Sequence, residues 1–234
     1  LFAFVHAETS TGALSDAATL AAIARRYGAL TIMDCVTSLG GVPVLLDEWG
    51  IDAAYSGSQK CLSCTPGLSP VSFSAAAVER IRARKTPCPS WFQDLSLVLG
   101  YWSGAKRTYH HTAPVNPLFG LHESLVMLAE EGLENAWLRH RNNHLRLRAG
   151  LEGMGLKFVV REDARLPQLN TVWVPEGVDE AVVRSRLLNE FGIEIGAGLG
   201  ALAGRVWRIG LMGQSSCTAN IVLFLAALES VMRG

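Results

Sequence analysis

Short apolar runs separated by small-residue turns set the rhythm of the first third of this chain. Leu1-Phe2-Ala3-Phe4-Val5 reads as a buried strand, and the polar segment from His6 to Gly12 as the loop that follows it. Leu20, Ile23 and Tyr27 recur at helical spacing, with Ser15 placed to cap that helix and Gly28 to end it. Leu30-Thr31-Ile32-Met33 is a short apolar strand that delivers Asp34 at its C-terminal end. Ile51 to Tyr55 is a further strand, leading through the small-residue turn Ser56-Gly57-Ser58-Gln59 to Lys60, and Pro70-Val71-Ser72-Phe73 is strand-like again. Strand, helix, strand at this spacing predicts a βαβ unit with a largely parallel sheet. Functional groups of such sheets gather at the C-terminal ends of the strands, where His6 to Thr11, Asp34 and Gln59-Lys60 all fall.

A helix-rich stretch begins at Ala75 and is broken by Pro87, Pro89, Pro114 and Pro117, with a polar turn over residues 103–112. The spacing then predicts helices over 118–131 and 133–154. The second carries Arg139, His140, Arg141, His144, Arg146 and Arg148, which read as a solvated or inter-subunit face. After Gly155 the pattern predicts strands over 156–160 and 169–174, a helix over 179–191, two more strands and a helix over 218–232. That last helix buries Ile221, Phe224, Leu225, Leu228 and Met232. The fold class is therefore α/β, with part of a large domain over 1–133 and a smaller α+β domain over 134–234. A strand-like start with neither an initiator methionine nor a polar lead-in predicts that the chain begins inside the large domain.

The chain has 234 residues, 49% of them hydrophobic, and a formal net charge of zero. Neutrality argues against nucleic-acid or membrane-surface binding, both of which draw on a basic excess. No apolar run reaches transmembrane length and no signal peptide is visible. Five irregularly placed cysteines suit a reducing compartment, and a cytoplasmic location is expected. Cys61-Leu62-Ser63-Cys64 has the C-x-x-C form but lacks the second pair a structural zinc site needs, so no metal is expected. Gly196-Ala197-Gly198-Leu199-Gly200-Ala201 superficially fits a dinucleotide fingerprint. Strand-like residues follow it where that motif requires a helix, so a loop beside a binding cleft is expected instead.

Two residues carry the candidate chemistry. A lysine held in a turn at a strand end can be partly desolvated, which disfavours the ammonium and frees the amine to attack a carbonyl. Lys60 stands in that position, though a surface loop lysine is the ordinary alternative. Asp34 at a neighbouring strand end either caps the next turn or pairs with the protonated ring nitrogen of pyridoxal phosphate, whose carbonyl forms a Schiff base with a lysine. From spacing alone both readings stay open.

Ser56-Gly57-Ser58-Gln59-Lys60, Met33-Asp34-Cys35-Val36-Thr37-Ser38-Leu39-Gly40-Gly41, Arg107-Thr108-Tyr109-His110-His111-Thr112 and Arg208-Ile209-Gly210 together resemble the alanine–glyoxylate/serine–pyruvate aminotransferases. These are class V, fold-type I enzymes dependent on pyridoxal 5'-phosphate. The resemblance implies that Lys60 forms the Schiff base and Asp34 pairs with the ring nitrogen. It further implies that Val36 packs on the ring and Gln59 lies beside the phosphate. Thr9, where family members often carry serine, would approach the ring hydroxyl. Tyr109 and Thr112 would reach the phosphate in the neighbouring subunit of a homodimer, and Arg208 would clamp the substrate carboxylate. The implied reaction moves an amino group from alanine or serine to glyoxylate or pyruvate. Transaminases of pyridoxamine or aminoethylphosphonate share the same core, and a non-catalytic aminotransferase-like chain is the alternative from another class. Gln59 stands where cysteine desulfurases usually place histidine, which disfavours that chemistry. The family's N-terminal Ser/Gly phosphate turn and ring-stacking aromatic have no counterpart in this sequence.

Overall fold

A computed structural model describes residues 1–103 and 108–233. The first part of the chain runs through β1 (Phe2–Val5), the two-residue strands β2 (Ala7–Glu8) and β3 (Ala13–Leu14), and α1 (Ala17–Arg26). It continues through β4 (Thr31–Asp34), α2 (Leu46–Trp49), β5 (Ala53–Tyr55) and β6 (Val71–Phe73). The four longer strands form one sheet in the order β1-β4-β5-β6, with β1, β4 and β5 parallel and β6 antiparallel at the edge. The register aligns Val5, Asp34, Tyr55 and Val71 in one row across the C-terminal ends of the parallel strands. At the opposite end Asp52 fixes that register. Its carboxylate accepts from Thr31 N at 2.9 Å and from Ser74 Oγ at 3.1 Å, while its own N–H donates to Thr31 Oγ1 at 2.9 Å.

The structure corrects several local expectations. Asp16, not Ser15, caps α1: its Oδ1 accepts from Thr19 N at 3.0 Å, and Ser15 Oγ donates instead to the Val5 carbonyl. The buried stripe of α1 is Ala17, Ala21 and Ala24, because short side chains let the helix lie close against Met33; Ile23 and Tyr27 are exposed. Pro117 lies in the first turn of α5 (Val115–Glu131) and does not break it, since the N–H it lacks has no partner within the helix there. Between the first sheet and that helix come α3 (Ala75–Arg82), capped by Ser74, and α4 (Leu95–Ser103). The motif residue Arg107 lies outside the described residues.

α6 (Leu133–Gly153), β7 (Leu169–Trp173), α7 (Glu180–Phe191), β8 (Gly196–Ala197), β9 (Val206–Gly210) and α8 (Thr218–Arg233) complete the chain. The three strands form an antiparallel sheet in the order β7-β9-β8. Leu147, Leu151, Val172, Leu187, Trp207 and Leu228 are almost wholly buried between this sheet and the helices. Residues 156–160 contribute a single bridge, Phe158 to Val172, rather than a strand. His140 and His144 are buried, so the α6 residues read from sequence as a solvated or inter-subunit face include two that turn into the core. Hydrogen bonds satisfy both. His140 donates from Nδ1 to the Ala136 carbonyl and accepts at Nε2 from Gly213 N, and His144 Nδ1 donates to Asn170 Oδ1 at 2.6 Å.

Candidate active site

The C-terminal edge of the first sheet brings three loops together. β1 ends at Val5 and is followed by His6, whose N–H donates to the Asp34 carbonyl at 2.9 Å. The chain then turns through the small β2–β3 hairpin with Thr9 near its tip. Gly12 closes the hairpin at φ +78°, and a Cβ there would stand 2.5 Å from the Leu169 carbonyl oxygen. Only glycine lets the hairpin sit this close to the second sheet. Its carbonyl accepts from Leu166 N at 2.8 Å.

Asp34, half-buried at the end of β4, is held at both carboxylate oxygens. Val36 N donates to Oδ1 at 2.9 Å and Tyr55 Oη donates to Oδ2 at 2.8 Å. Each oxygen keeps a free lone pair for a further donor. The chain leaving β5 passes through Gly57, where a Cβ would lie 2.6 Å from Gln59 Oε1 and 3.4 Å from Val36 Cγ1. The absent side chain leaves the space that the Gln59 amide and the Val36 methyl border.

Lys60 follows, half-buried, with its carbonyl accepting from Ser63 N at 2.9 Å to close a turn. Its amine makes no hydrogen bond and no ion pair among the described residues. The connection is the whole segment 56–70 rather than a tight turn, and the strands on either side of it carry exposed residues. Burial pushes the Cys61 thiol up to about 12 and the Cys35 thiol to about 11, so neither forms a thiolate at neutral pH.

Arg208 enters from the second sheet. Its Nε donates to the Ala197 carbonyl at 2.6 Å and its Nη1 to the Thr9 carbonyl at 2.9 Å, leaving Nη2 uncommitted. The glycine-rich segment from Gly196 thus orients a guanidinium, and the Thr9 backbone ties that guanidinium to the Asp34 edge. Tyr109 and Thr112 are exposed and bond each other, Oη to Oγ1 at 2.6 Å. No hydrogen bond joins them to Lys60, Asp34 or Gln59 of the same chain among the described residues. Their loop is anchored by His110, which stacks on Trp91 with centroids 4.2 Å apart and donates from Nε2 to the Trp91 carbonyl. A cavity of about 410 Å³ between α6 and the start of α8, lined by Arg139, Asn143, Arg146, Cys217 and Thr218 among others, takes in none of these residues.

Two contacts at this sheet edge were not legible from sequence. Tyr55 faces Asp34 only because of strand register. Ser63, at φ 59°, accepts from Gln214 N at 2.8 Å and docks the Lys60 loop on the turn that follows the Arg208 strand.

The histidines give the site region an acid limit. Burial lowers His6, His140 and His144 from the usual histidine value, His6 to about 4. A folded pKa below the unfolded one means that the unfolded chain binds more protons between the two values. Stability is then fully present above the unfolded pKa and is lost as pH falls toward the folded one. From His6 alone the loss between pH 7 and pH 4 is about 3 kcal/mol. Urea midpoints should fall steadily across that window; a midpoint flat from pH 7 to pH 4 would contradict the burial of these rings.

The donor set fits pyridoxal phosphate: an uncommitted amine, a doubly held carboxylate with free lone pairs, and a small-residue turn leading from β5 to the amine. The aminotransferase class-V family matches residues 1–216. The alanine–glyoxylate aminotransferase of Callithrix jacchus is 42% identical over all of this chain. The (S)-ureidoglycine–glyoxylate transaminase of Bacillus subtilis (strain 168) is 38% identical over 99% of it. The crystal structure of the alanine–glyoxylate aminotransferase of Nostoc sp. superposes with a TM-score of 0.96 at 49% identity, over 99% of this chain. The chain spans 57% and 60% of the lengths of the two curated relatives and 61% of the Nostoc chain. Its α/β architecture is that of the pyridoxal-phosphate-dependent aminotransferase structures, and the chain belongs to the class-V aminotransferases.

Proposed function

We propose that the protein carrying this chain is a pyridoxal-phosphate-dependent transaminase that moves an amino group from a small amino acid, alanine or serine, to glyoxylate or pyruvate. The observation that carries the reading is the bond from Arg208 of the second sheet to the Thr9 carbonyl, in the loop that leaves β1 beside the strand end bearing Asp34. The doubly held carboxylate of Asp34, the half-used guanidinium of Arg208 and the amine of Lys60 beyond β5, unpaired among the described residues, support it. Family membership implies the cofactor. Bound, pyridoxal phosphate supplies a carbonyl that condenses with amines and a protonated ring that accepts the electron pair of a breaking Cα–H bond.

The chain's own residues do the rest. Lys60 Nζ would hold the cofactor through its carbonyl carbon and would serve as the base that carries the substrate Cα proton. Asp34 would accept the ring N–H. Val36 would pack on the ring face, Gln59 would hold the phosphate end and Thr9 the ring hydroxyl. Arg208 offers its uncommitted N–H groups to the substrate carboxylate in a planar fork. Tyr109 and Thr112 reach the phosphate held by a second copy of the chain, so the working unit is a homodimer; their exposure and mutual bond support a role outside their own subunit. Five free thiols support a cytoplasmic location, and no described helix is long and apolar enough to cross a membrane. The boundary between large and small domains falls at 133/134, supported by the contribution of α6 to the core of the second sheet.

With pyridoxal phosphate, L-alanine and glyoxylate, the protein should yield pyruvate and glycine, and L-serine should replace alanine. The Bacillus subtilis relative favours (S)-ureidoglycine as a second donor to the same acceptor. Transfer to neither glyoxylate nor pyruvate from any of these donors would overturn the reading.

A further inference from the structure

Asp34 and Tyr55 stand at the same register position on neighbouring parallel strands, so their side chains project from one face of the sheet. The phenol closes the gap, Oη donating to Oδ2 at 2.8 Å. Without it Asp34 keeps one donor, the N–H of Val36 two residues on, which grips only Oδ1. A carboxylate held at a single oxygen by a local turn contact can still swing about its side-chain torsions. A second donor on the other oxygen, from a different strand, fixes its plane. The hydrogen bond to Asp34, and after it burial, hold the Tyr55 phenol above its usual value, so it stays a neutral O–H donor at physiological pH.

We infer that Tyr55 is a positioning residue for the cofactor: its phenol locks the Asp34 carboxylate so that a remaining lone pair meets the pyridine ring nitrogen. The inference rests on the pyridoxal phosphate reading above. Tyr55 is 42% exposed and contributes little to the core, so its hydroxyl can be removed with the fold intact.

Tyr55→Phe should therefore leave the thermal midpoint of the apoprotein in place. It should weaken pyridoxal phosphate binding by about tenfold, the scale of one hydrogen bond to a charged group. With cofactor carrying nitrogen-15 in the ring, the bound nitrogen resonance of the wild type should report a protonated ring. That of Tyr55→Phe should move toward the unprotonated position. In an Asp34→Ala background the same change should alter affinity by less than about twofold, because the two residues act as one unit. An unchanged ring resonance and affinity in Tyr55→Phe would overturn the inference while leaving the cofactor reading in place. A lowered midpoint with an unchanged resonance would overturn it too, reducing Tyr55 to a structural contact. Failure of the wild type to bind pyridoxal phosphate at all would instead remove the reading on which it rests.

Discussion

Lys60→Ala should lower transamination by roughly four orders of magnitude, because the proposed function gives one amine the work of both covalent holder and proton carrier. The structure says why the loss should be chemical rather than conformational. Lys60 makes no hydrogen bond or ion pair among the described residues, and its loop is closed by backbone and hydroxyl contacts that the substitution leaves alone. Ser63 N donates to the Lys60 carbonyl, Ser58 Oγ to the Thr65 carbonyl, and Ser63 Oγ accepts from Gln214 N. The thermal midpoint of the apoprotein should therefore move by no more than about 2 °C, as for a surface substitution away from structural contacts. Lys60→Arg separates charge from nucleophilicity: it keeps a cation but offers no amine that can deprotonate, and it should be as inactive as alanine. Turnover at saturating donor and cofactor measures both. Residual activity within tenfold of wild type in either variant would show that another residue carries the proton.

Arg208→Lys is the second large effect, and its form differs. The guanidinium spends two N–H groups on the carbonyls of Ala197 and Thr9 and has others left for a substrate carboxylate. A lysine keeps the charge but cannot hold two carbonyls and fork onto a carboxylate in one plane. The expected result is a rise in KM for the amino donor and a fall in kcat/KM of about 100-fold, near 3 kcal/mol, with pyridoxal phosphate affinity unchanged. Arg208→Ala should cost at least as much and also leave two carbonyls without their donor, so a loss of stability of about 1–2 kcal/mol should accompany it. A variant with normal KM and lowered cofactor affinity would place Arg208 on the cofactor rather than the substrate.

Strand ends were the legible part of this site. Alternating short apolar runs and small-residue turns mark where β4 and β5 stop, so Asp34 at the end of β4 and Lys60 in the long segment beyond β5 could be picked out as candidates before any contact was known. Arg208 could not be found that way: nothing in the local pattern distinguishes it from a surface arginine, and the family resemblance alone singled it out. The face of α1 was misread because alanines carry little hydrophobic signal, yet packing rewards their small size where a helix lies flat on a strand. Tyr55, Ser63 and His140 were missed for a different reason. Each works through a contact fixed by tertiary structure: Tyr55 through strand register, Ser63 through Gln214, and His140 through the N–H of Gly213. Gly213 shows how tightly those parts meet, since a Cβ there would fall 2.9 Å from the Cys61 carbonyl oxygen and closer still to Ser63 Oγ. Through that contact the loop bearing Lys60 and the chain leaving the Arg208 strand are packed as one unit, which no one-dimensional pattern records.

The central claim is that Lys60 is the residue to which the cofactor attaches. The protein should be incubated with pyridoxal phosphate, reduced with borohydride, digested and mapped by mass spectrometry. The account predicts a single dominant phosphopyridoxyl adduct on Lys60, lost in Lys60→Ala. An adduct centred on Lys85, Lys106 or Lys157, or none above background, would contradict it.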